Sequence, residues 1–364
     1  MKKTQSHHFH NSFASKVGSL DLQILATVAY SSQFKFPLLE SEILQRLIRP
    51  EVVEQQLIKT LMIKQQAGGI FDNIDFQNRS SPSLELLRSR FNKLVETGVL
   101  QKWDDYFCFV DKFKDGRGHE SQRLVAQNWV KSRRQNNINS YLVRDSAYGL
   151  IRAALKIGWI EAIGITGSVA ARSAKPNDDL DLLIVTKPGT LWITRLVLLL
   201  LAIVNGKKRV SFFGKVIFSD QWCFNLWMDL DSLSLPQEKR SIFDALESMQ
   251  IDWIYDAGNV QKKFTQSNSW LGNFLVNQKY QVTQELASDS NKAEQNERLS
   301  GFLNWINHLI FKLSASHLHQ KNNIPFKNLN INRAFMHDGV SHLKYLEEWQ
   351  TLFQQATQKL QEIK

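Results

Sequence analysis

An α+β fold in successive regions is predicted by three observations. Apolar residues recur at helical spacing near the start of the chain and again through its last third. Between these stretches lie short aliphatic runs, partly β-branched, bounded by glycine, asparagine and aspartate, which is the pattern of strands. The length of 364 residues allows two or three domains with ordinary cores. The division read from these signals is a polar disordered tail over 1–18, a helix-and-hairpin module over 19–120, a mixed-sheet domain over 121–235 and a helical domain over 236–364.

The tail is rich in histidine (His7, His8 and His10) and has no apolar segment of the kind that begins a signal peptide. From Ser19 onward, Ser19 and Asp21 can cap a helix whose apolar positions are Leu22, Ile24, Leu25, Val28 and Ala29. Leu39 to Leu47 reads as a second, short helix that ends before Pro50. Glu51 to Ile63 reads as another, and Gly68 to Pro82 as a loop. Ser83 to Glu96 is an amphipathic helix carrying Leu84, Leu86, Leu87, Phe91 and Leu94, and Gly98 stops it. Leu100 to Val110 reads as a hairpin turning at Asp104-Asp105.

Helices, then a basic amphipathic helix, then a hairpin is the order of a winged helix-turn-helix. Arg88, Arg90 and Lys93 lie on the polar side of the third helix. In one reading they meet phosphates or bases in a groove. In the other they form a solvated face, and the module is a protein-interaction or spacer unit. Asp104 and Asp105 in the wing favour the second reading, because they repel phosphate.

In the middle region, Ser121 to Lys156 reads as helix and Trp159 to Thr166 as a strand. Leu196 to Val204 is the longest apolar run. Its nine residues are too few to cross a bilayer, which takes about 20, so it reads as a buried helix, and no membrane partner is expected. In the last region Glu238 to Gln250, Ser300 to Ser314 and His342 to Ile363 carry helical spacing.

Composition bounds the function. The chain has 45 Lys+Arg against 35 Asp+Glu, a formal net charge of +10. Such a balance favours polyanionic partners: nucleotides, nucleic acid or an anionic membrane surface. The two cysteines, Cys108 and Cys223, lie far apart and form no paired motif, which fits a reducing cytoplasm.

The chemistry concentrates in one segment. Ile163 to Thr166 ends at Gly167-Ser168, and a short helix follows. A strand-to-helix junction of this kind turns backbone N–H groups outward, where an anion can meet them. Gly167 lets a phosphate approach the backbone, and Ser168 adds a hydroxyl donor. About ten residues later, Asp179-Leu180-Asp181 leads into the aliphatic run Leu182 to Val185. On a strand, residues two apart share a face, so Asp179 and Asp181 project together. Two adjacent carboxylates repel unless a cation lies between them. Oxygen ligands suit Mg²⁺ (or Mn²⁺), which also takes phosphate oxygens from a nucleoside triphosphate. A triphosphate cradle beside a divalent-metal clamp is the equipment for phosphoryl or nucleotidyl transfer.

The order apolar strand, Gly-Ser, about ten residues, Asp-x-Asp, apolar strand resembles the polymerase-beta-like nucleotidyltransferase superfamily over about Ile160 to Thr186. Leu191-Trp192 with Arg195, then Asn225, Phe243-Asp244-Ala245 and Asn268-Ser269-Trp270, resembles prokaryotic nucleotidyltransferase-domain proteins that begin with a winged-helix-like module and end in helices. The resemblance implies a mixed sheet with helices of nucleotidyltransferase type over 121–235 and transfer of a nucleoside monophosphate to an unidentified acceptor hydroxyl; the winged-helix-like order of the N-terminal module makes nucleic acid a further candidate partner. It implies catalytic and metal-holding roles for Asp179 and Asp181, and nucleotide contacts for Gly167 and Ser168. Many members carry Gly-Ser-x-Ala-Arg-Gly; here the arginine comes one residue later, as Arg172. Lys175 is a further triphosphate candidate. The third carboxylate of the family belongs on a later strand, read at Gln221 to Asp231. Strict alternation puts Cys223, Asn225, Trp227 and Asp229 on the site's face, and Asp229, the nearest acid there, is expected to complete the metal site or act as base. The central position, however, holds Asn225.

The alternative is a regulator or antitoxin-like binding protein whose nucleotidyltransferase domain senses nucleotides or is degenerate.

Overall fold

The computed structural model describes residues 18–56, 82–110, 119–146, 148–176, 178–206, 211–212, 215–216, 222–277, 297–322, 324–336 and 340–362. The fold is mixed α and β, and its contacts divide the chain into two compact units.

The first unit comprises 1–132, 272–279 and 343–364. It begins with α1 (Ser19–Ser32), whose N-terminus is closed by Asp21 reaching back to the Gly18 amide at 3.1 Å. β1 (Leu38–Leu39) and α2 (Glu40–Gln45) follow, and residues 50–56 are helical. The rest of the helix expected to Ile63 lies outside the described residues, as do the tail 1–17 and 68–81 of the expected loop. α3 (Leu84–Glu96) starts at Ser83, whose hydroxyl accepts from the Leu86 amide at 3.2 Å. It buries Leu87, Phe91 and Leu94, three members of the apolar stripe read from sequence, while Leu84 and Leu86 stay exposed. The hairpin is β2 (Gln101–Trp103) and β3 (Tyr106–Cys108), and β1 joins it in the order β1-β3-β2. Phe107 brings its ring to 4.9 Å from Phe91 and ties the hairpin to α3. The C-terminal helix Val340–Glu362 packs here: Trp349 is fully buried and donates to the Ala26 carbonyl at 2.9 Å.

The second unit comprises 133–271 and 280–342. α4 (His119–Ser146) runs from the first unit into it, and α5 (Tyr148–Leu155) follows. Then come β4 (Ile160–Ile165), the short α6 (Gly167–Ala170), β5 (Leu180–Thr186) and α7 (Leu191–Val204). The two-residue strands β6 (Ser211–Phe212) and β7 (Lys215–Val216) pair with each other. Next are β8 (Trp222–Asp229), α8 (Ile242–Met249), β9 (Asp252–Asp256), α9 (Val260–Ser267), α10 (Glu297–Asn322), β10 (Leu329–Asn330) and β11 (Arg333–Phe335). Six strands form one sheet in the order β10-β11-β8-β5-β4-β9, antiparallel except for the parallel pair β5 and β8.

Two expectations are corrected. The boundary expected at 235 falls inside the second unit, and 236–364 is not a helical body of its own. β9 from that stretch pairs with β4 at one edge of the sheet, and β11 pairs with β8 on the other side. These strands are two to five residues long, too short for alternation to stand out beside the long helices. The run Leu196 to Val204 is helical but only half buried. Leu198 and Ala202 enter the core with Leu191 and Trp192, while Leu196, Leu200, Ile203 and Val204 are exposed. A helix laid on one face of a sheet buries one side only.

The start of α7 is capped from a distance. Thr190 turns its hydroxyl back to the Lys187 carbonyl at 2.8 Å, and no side chain at the cap position closes the helix. Instead Asn307 on α10, fully buried, accepts from the amides of Trp192 at 2.7 Å and Ile193 at 3.2 Å. Two otherwise unpaired donors of the first helical turn are thereby satisfied, and α10 is fixed against α7.

Candidate functional site

The antiparallel pairing of β4 with β5 sets Ile165 opposite Leu182, and the next amide, Thr166, donates to the Asp181 carbonyl at 2.9 Å. Gly167 therefore sits beside Asp181. Its φ of +63° lies in the left-handed region, where a Cβ costs about 1–2 kcal/mol. A Cβ there would also run into Oδ2 of Asp181 and stand 3.1 Å from its Cγ. Only glycine admits both the turn and the carboxylate. Beyond it the turn closes on itself: Ala171 donates to the Gly167 carbonyl at 3.0 Å, and the Ser173 amide to the Ser168 carbonyl at 2.8 Å.

Asp181 is hard to ionise. Its carboxyl is pushed up to about 7, first by burial and then by the carboxylates of Asp179 and Asp178; the thiol of Cys223 acts in the other direction. The parallel pairing of β5 with β8 puts Cys223 opposite Asp181. Two residues further along β8, the side-chain amide of Asn225 donates to Oδ1 of Asp181, and its own oxygen accepts from the Cys223 thiol at 3.0 Å.

A divalent cation fits this arrangement. Crowded, partly desolvated carboxylates are relieved by a positive charge, and a hard cation accepts oxygen ligands. Among the described residues no group of three His, Cys, Asp or Glu side chains could hold a metal alone. Asp179 and Asp181 would supply two ligands, leaving the others to phosphate oxygens and water, as Mg²⁺ commonly has them.

Asp229 is not at this place. Asp181 faces Cys223, but Leu183 faces Leu226, so β8 spends one residue more than β5 over this stretch. The extra residue reverses the alternation. Trp222 and Phe224 lie in the core, and so does Trp227, while Leu226 is half-buried. Asp229 ends opposite Thr186, five residues beyond Asp181 on β5, or about 16 Å along the strand. There it is buried, accepts from the Asp231 amide at 3.1 Å and is pushed up to about 6 by burial and by Asp231. The third place beside the aspartate pair is held by Asn225.

Arg172 is tied down. Its backbone is left-handed, with φ +58°. Its guanidinium lies 4.3 Å from the centre of the Tyr141 ring, and Nη2 is 3.4 Å from Oδ2 of Asp252. Arg144 approaches the same carboxylate at 3.0 Å, and Arg133 donates to the Arg172 carbonyl. Asp252 is buried and opposes Ile165 in the sheet, two residues from Gly167. These partners escaped sequence reasoning because Asp252 sits in a short strand and the arginines in a long polar helix. Lys175 is exposed in a turn closed by its own amide donating to Oδ2 of Asp178 at 3.0 Å. Ser168 is half-buried at the second position of α6.

In the first unit, two of the three basic residues read as groove contacts are engaged internally. Arg88 pairs with Glu40 at 2.7 Å, and Arg90 pairs with the buried Asp21.

No family model, no curated protein and no solved structure matches the chain.

Proposed function

We propose that the chain is a Mg²⁺-dependent (or Mn²⁺-dependent) nucleotidyltransferase that moves a nucleoside monophosphate from a nucleoside triphosphate to an acceptor hydroxyl. The observation that carries this reading is the close approach of Gly167 to Asp181, beside a second carboxylate and at the end of an apolar strand. In this reading the mixed sheet is of the polymerase-beta-like type and the first unit is a winged-helix-like module, placed with its nucleotide substrate in the cytoplasm.

Asp179 and Asp181 would hold the metal, which when bound would supply positive charge against the triphosphate. The backbone at Gly167 and the hydroxyl of Ser168 receive the triphosphate. The acceptor oxygen bonds to the α-phosphorus, the bond from that phosphorus to the β-phosphate oxygen breaks, and pyrophosphate leaves. Arg172 is neutralised by Asp252 and orders the turn rather than carrying the reaction. Because Asn225 stands where a third carboxylate would act as base, the acceptor proton passes to water.

That same asparagine favours a second reading, a regulator that binds metal and nucleotide without turnover. Incubation with Mg²⁺ and each labelled nucleoside triphosphate, with total cell RNA, protein and small-molecule pools as acceptors, separates them. Label transfer that disappears in Asp179→Asn/Asp181→Asn supports the transferase. Metal-dependent binding with no transfer to any pool supports the regulator and rejects the transferase.

A further inference from the structure

A cavity of about 380 Å³ lies in the first unit, where the end of α1, the chain just after β3, α4 and the C-terminal helix come together. Each of these elements is tied to another. The Ser32 hydroxyl at the end of α1 accepts from the Phe109 amide at 3.0 Å. The Gln122 side chain on α4 donates to the Val110 carbonyl at 3.4 Å. Phe34 and Tyr345 bring their rings to 5.1 Å and hold the end of α1 to the C-terminal helix. The cavity is therefore built into the fold, and its size falls within the roughly 300–1,000 Å³ of small-molecule sites.

Its lining is of two kinds. One part is apolar: Phe109, Val110 and Leu352 belong to the core, and Val125 and Trp129, four residues apart on one side of α4, continue it. The other part carries two opposite charges. Lys35 is exposed, and Glu348, half-buried, stands one turn before Leu352 on the C-terminal helix. Lys35 follows α1 in a left-handed turn, with φ +54° and its amide donating to the Ser32 carbonyl at 3.0 Å. It enters no ion pair among the described residues, so the two charges line one cavity without joining. A wholly apolar occupant would take water from both charges and return nothing. An apolar carboxylate would answer Lys35 but bring a like charge to Glu348, and an apolar amine would do the reverse. A zwitterion with an apolar body answers the whole lining, and the rings of Phe109 and Trp129 favour an aromatic one.

We propose that this cavity binds a free apolar α-amino acid, with its carboxylate on Lys35, its ammonium on Glu348 and its side chain against Phe109, Val125, Trp129 and Leu352. None of these residues belongs to the turn at Gly167 or to the aspartate pair, so the site is independent of the nucleotide reading.

The test is calorimetric titration of the full chain with L-phenylalanine and L-tryptophan, beside phenylpropionate, which lacks the amine, and phenethylamine, which lacks the carboxylate. At least one of the two amino acids binds, and each single-charge analogue binds about ten-fold or more weakly than it does. Lys35→Asn keeps a residue that tolerates the left-handed turn, and Glu348→Gln keeps the shape of the side chain. Each variant weakens amino-acid binding about ten-fold or more, with a thermal melt that shows an intact fold. If a variant loses its fold, the analogues alone decide. Absence of binding by both amino acids up to about 10 mM overturns the proposal. Binding of either analogue as tight as that of the amino acids overturns it, because one charge then suffices. Undiminished binding by a folded variant also overturns it and places the amino acid elsewhere.

Discussion

Asn225 donates its side-chain amide to Oδ1 of Asp181 across the parallel strands β5 and β8, and in the proposed metal site it stands where a third carboxylate would be expected. The amide gives Asp181 one neutral partner in a setting where Asp179 and Asp178 are both repulsive. In the proposed site it steadies that carboxylate where a further ligand or base would otherwise stand.

Asn225→Asp should reverse that balance. A third carboxylate beside Asp181 destabilises the metal-free protein by about 1–2 kcal/mol through like-charge repulsion. Mg²⁺ should then raise the melting temperature of the variant more than that of the parent chain. Thermal melts with and without Mg²⁺ check this; an equal Mg²⁺ response in the two proteins contradicts the placement of Asn225 at the metal.

Gly167→Ala tests the contact that carries the site. The left-handed φ and the collision with Asp181 act together, and a loss of about 2–4 kcal/mol follows. Nucleotide affinity should fall about ten-fold or more, since each 1.4 kcal/mol of misplacement is a factor of ten. Denaturant melts and nucleotide titrations of the variant measure the two effects separately.

Asp229 should prove dispensable for any transfer. Its raised value of about 6 means the folded state holds the proton more tightly than the unfolded chain does. Its stabilising contribution is full below about pH 4 and is lost as pH rises through about 6. At neutral pH the ionised side chain is a liability, so Asp229→Asn should stabilise by up to about 2–3 kcal/mol and flatten stability between those pH values. Melts from pH 4 to 7 check the slope, and a loss of transfer in Asp229→Asn would contradict its position away from the site.

Asp252→Asn should loosen the turn after Gly167. It removes the carboxylate shared by Arg144 and Arg172 and leaves two largely buried guanidinium groups uncompensated, a loss on the order of 3 kcal/mol. Chemical denaturation measures it. Asp252→Glu should recover only part, because the longer side chain must fit the same buried space.

Most of the long elements were legible in the sequence because period and capping agreed: Ser83 opens α3 and Gly98 follows it, and the aliphatic run after Asp181 is β5. Gly167 and the aspartate pair were legible because turn, spacing and strand pattern coincide within twenty residues. The place of Asp229 was not, since one extra residue near Asn225 flips every side chain after it and leaves no mark in composition. The cap on α7 was not, because Asn307 lies more than a hundred residues from the amides it accepts. The edges of the sheet were hidden for a related reason: β9, β10 and β11 gain their stability from their neighbours, so their own sequences carry little signal.

Calorimetric titration of the full chain with nucleoside triphosphate, with Mg²⁺ and then with chelator, tests the central claim most directly when repeated on Asp179→Asn/Asp181→Asn. The account predicts binding that requires Mg²⁺, that weakens as pH falls below about 7, where Asp181 takes up its proton, and that disappears in the double variant while its melt shows an intact fold. Binding of equal strength in chelator, or in the double variant, would contradict a metal-nucleotide site at Asp179 and Asp181.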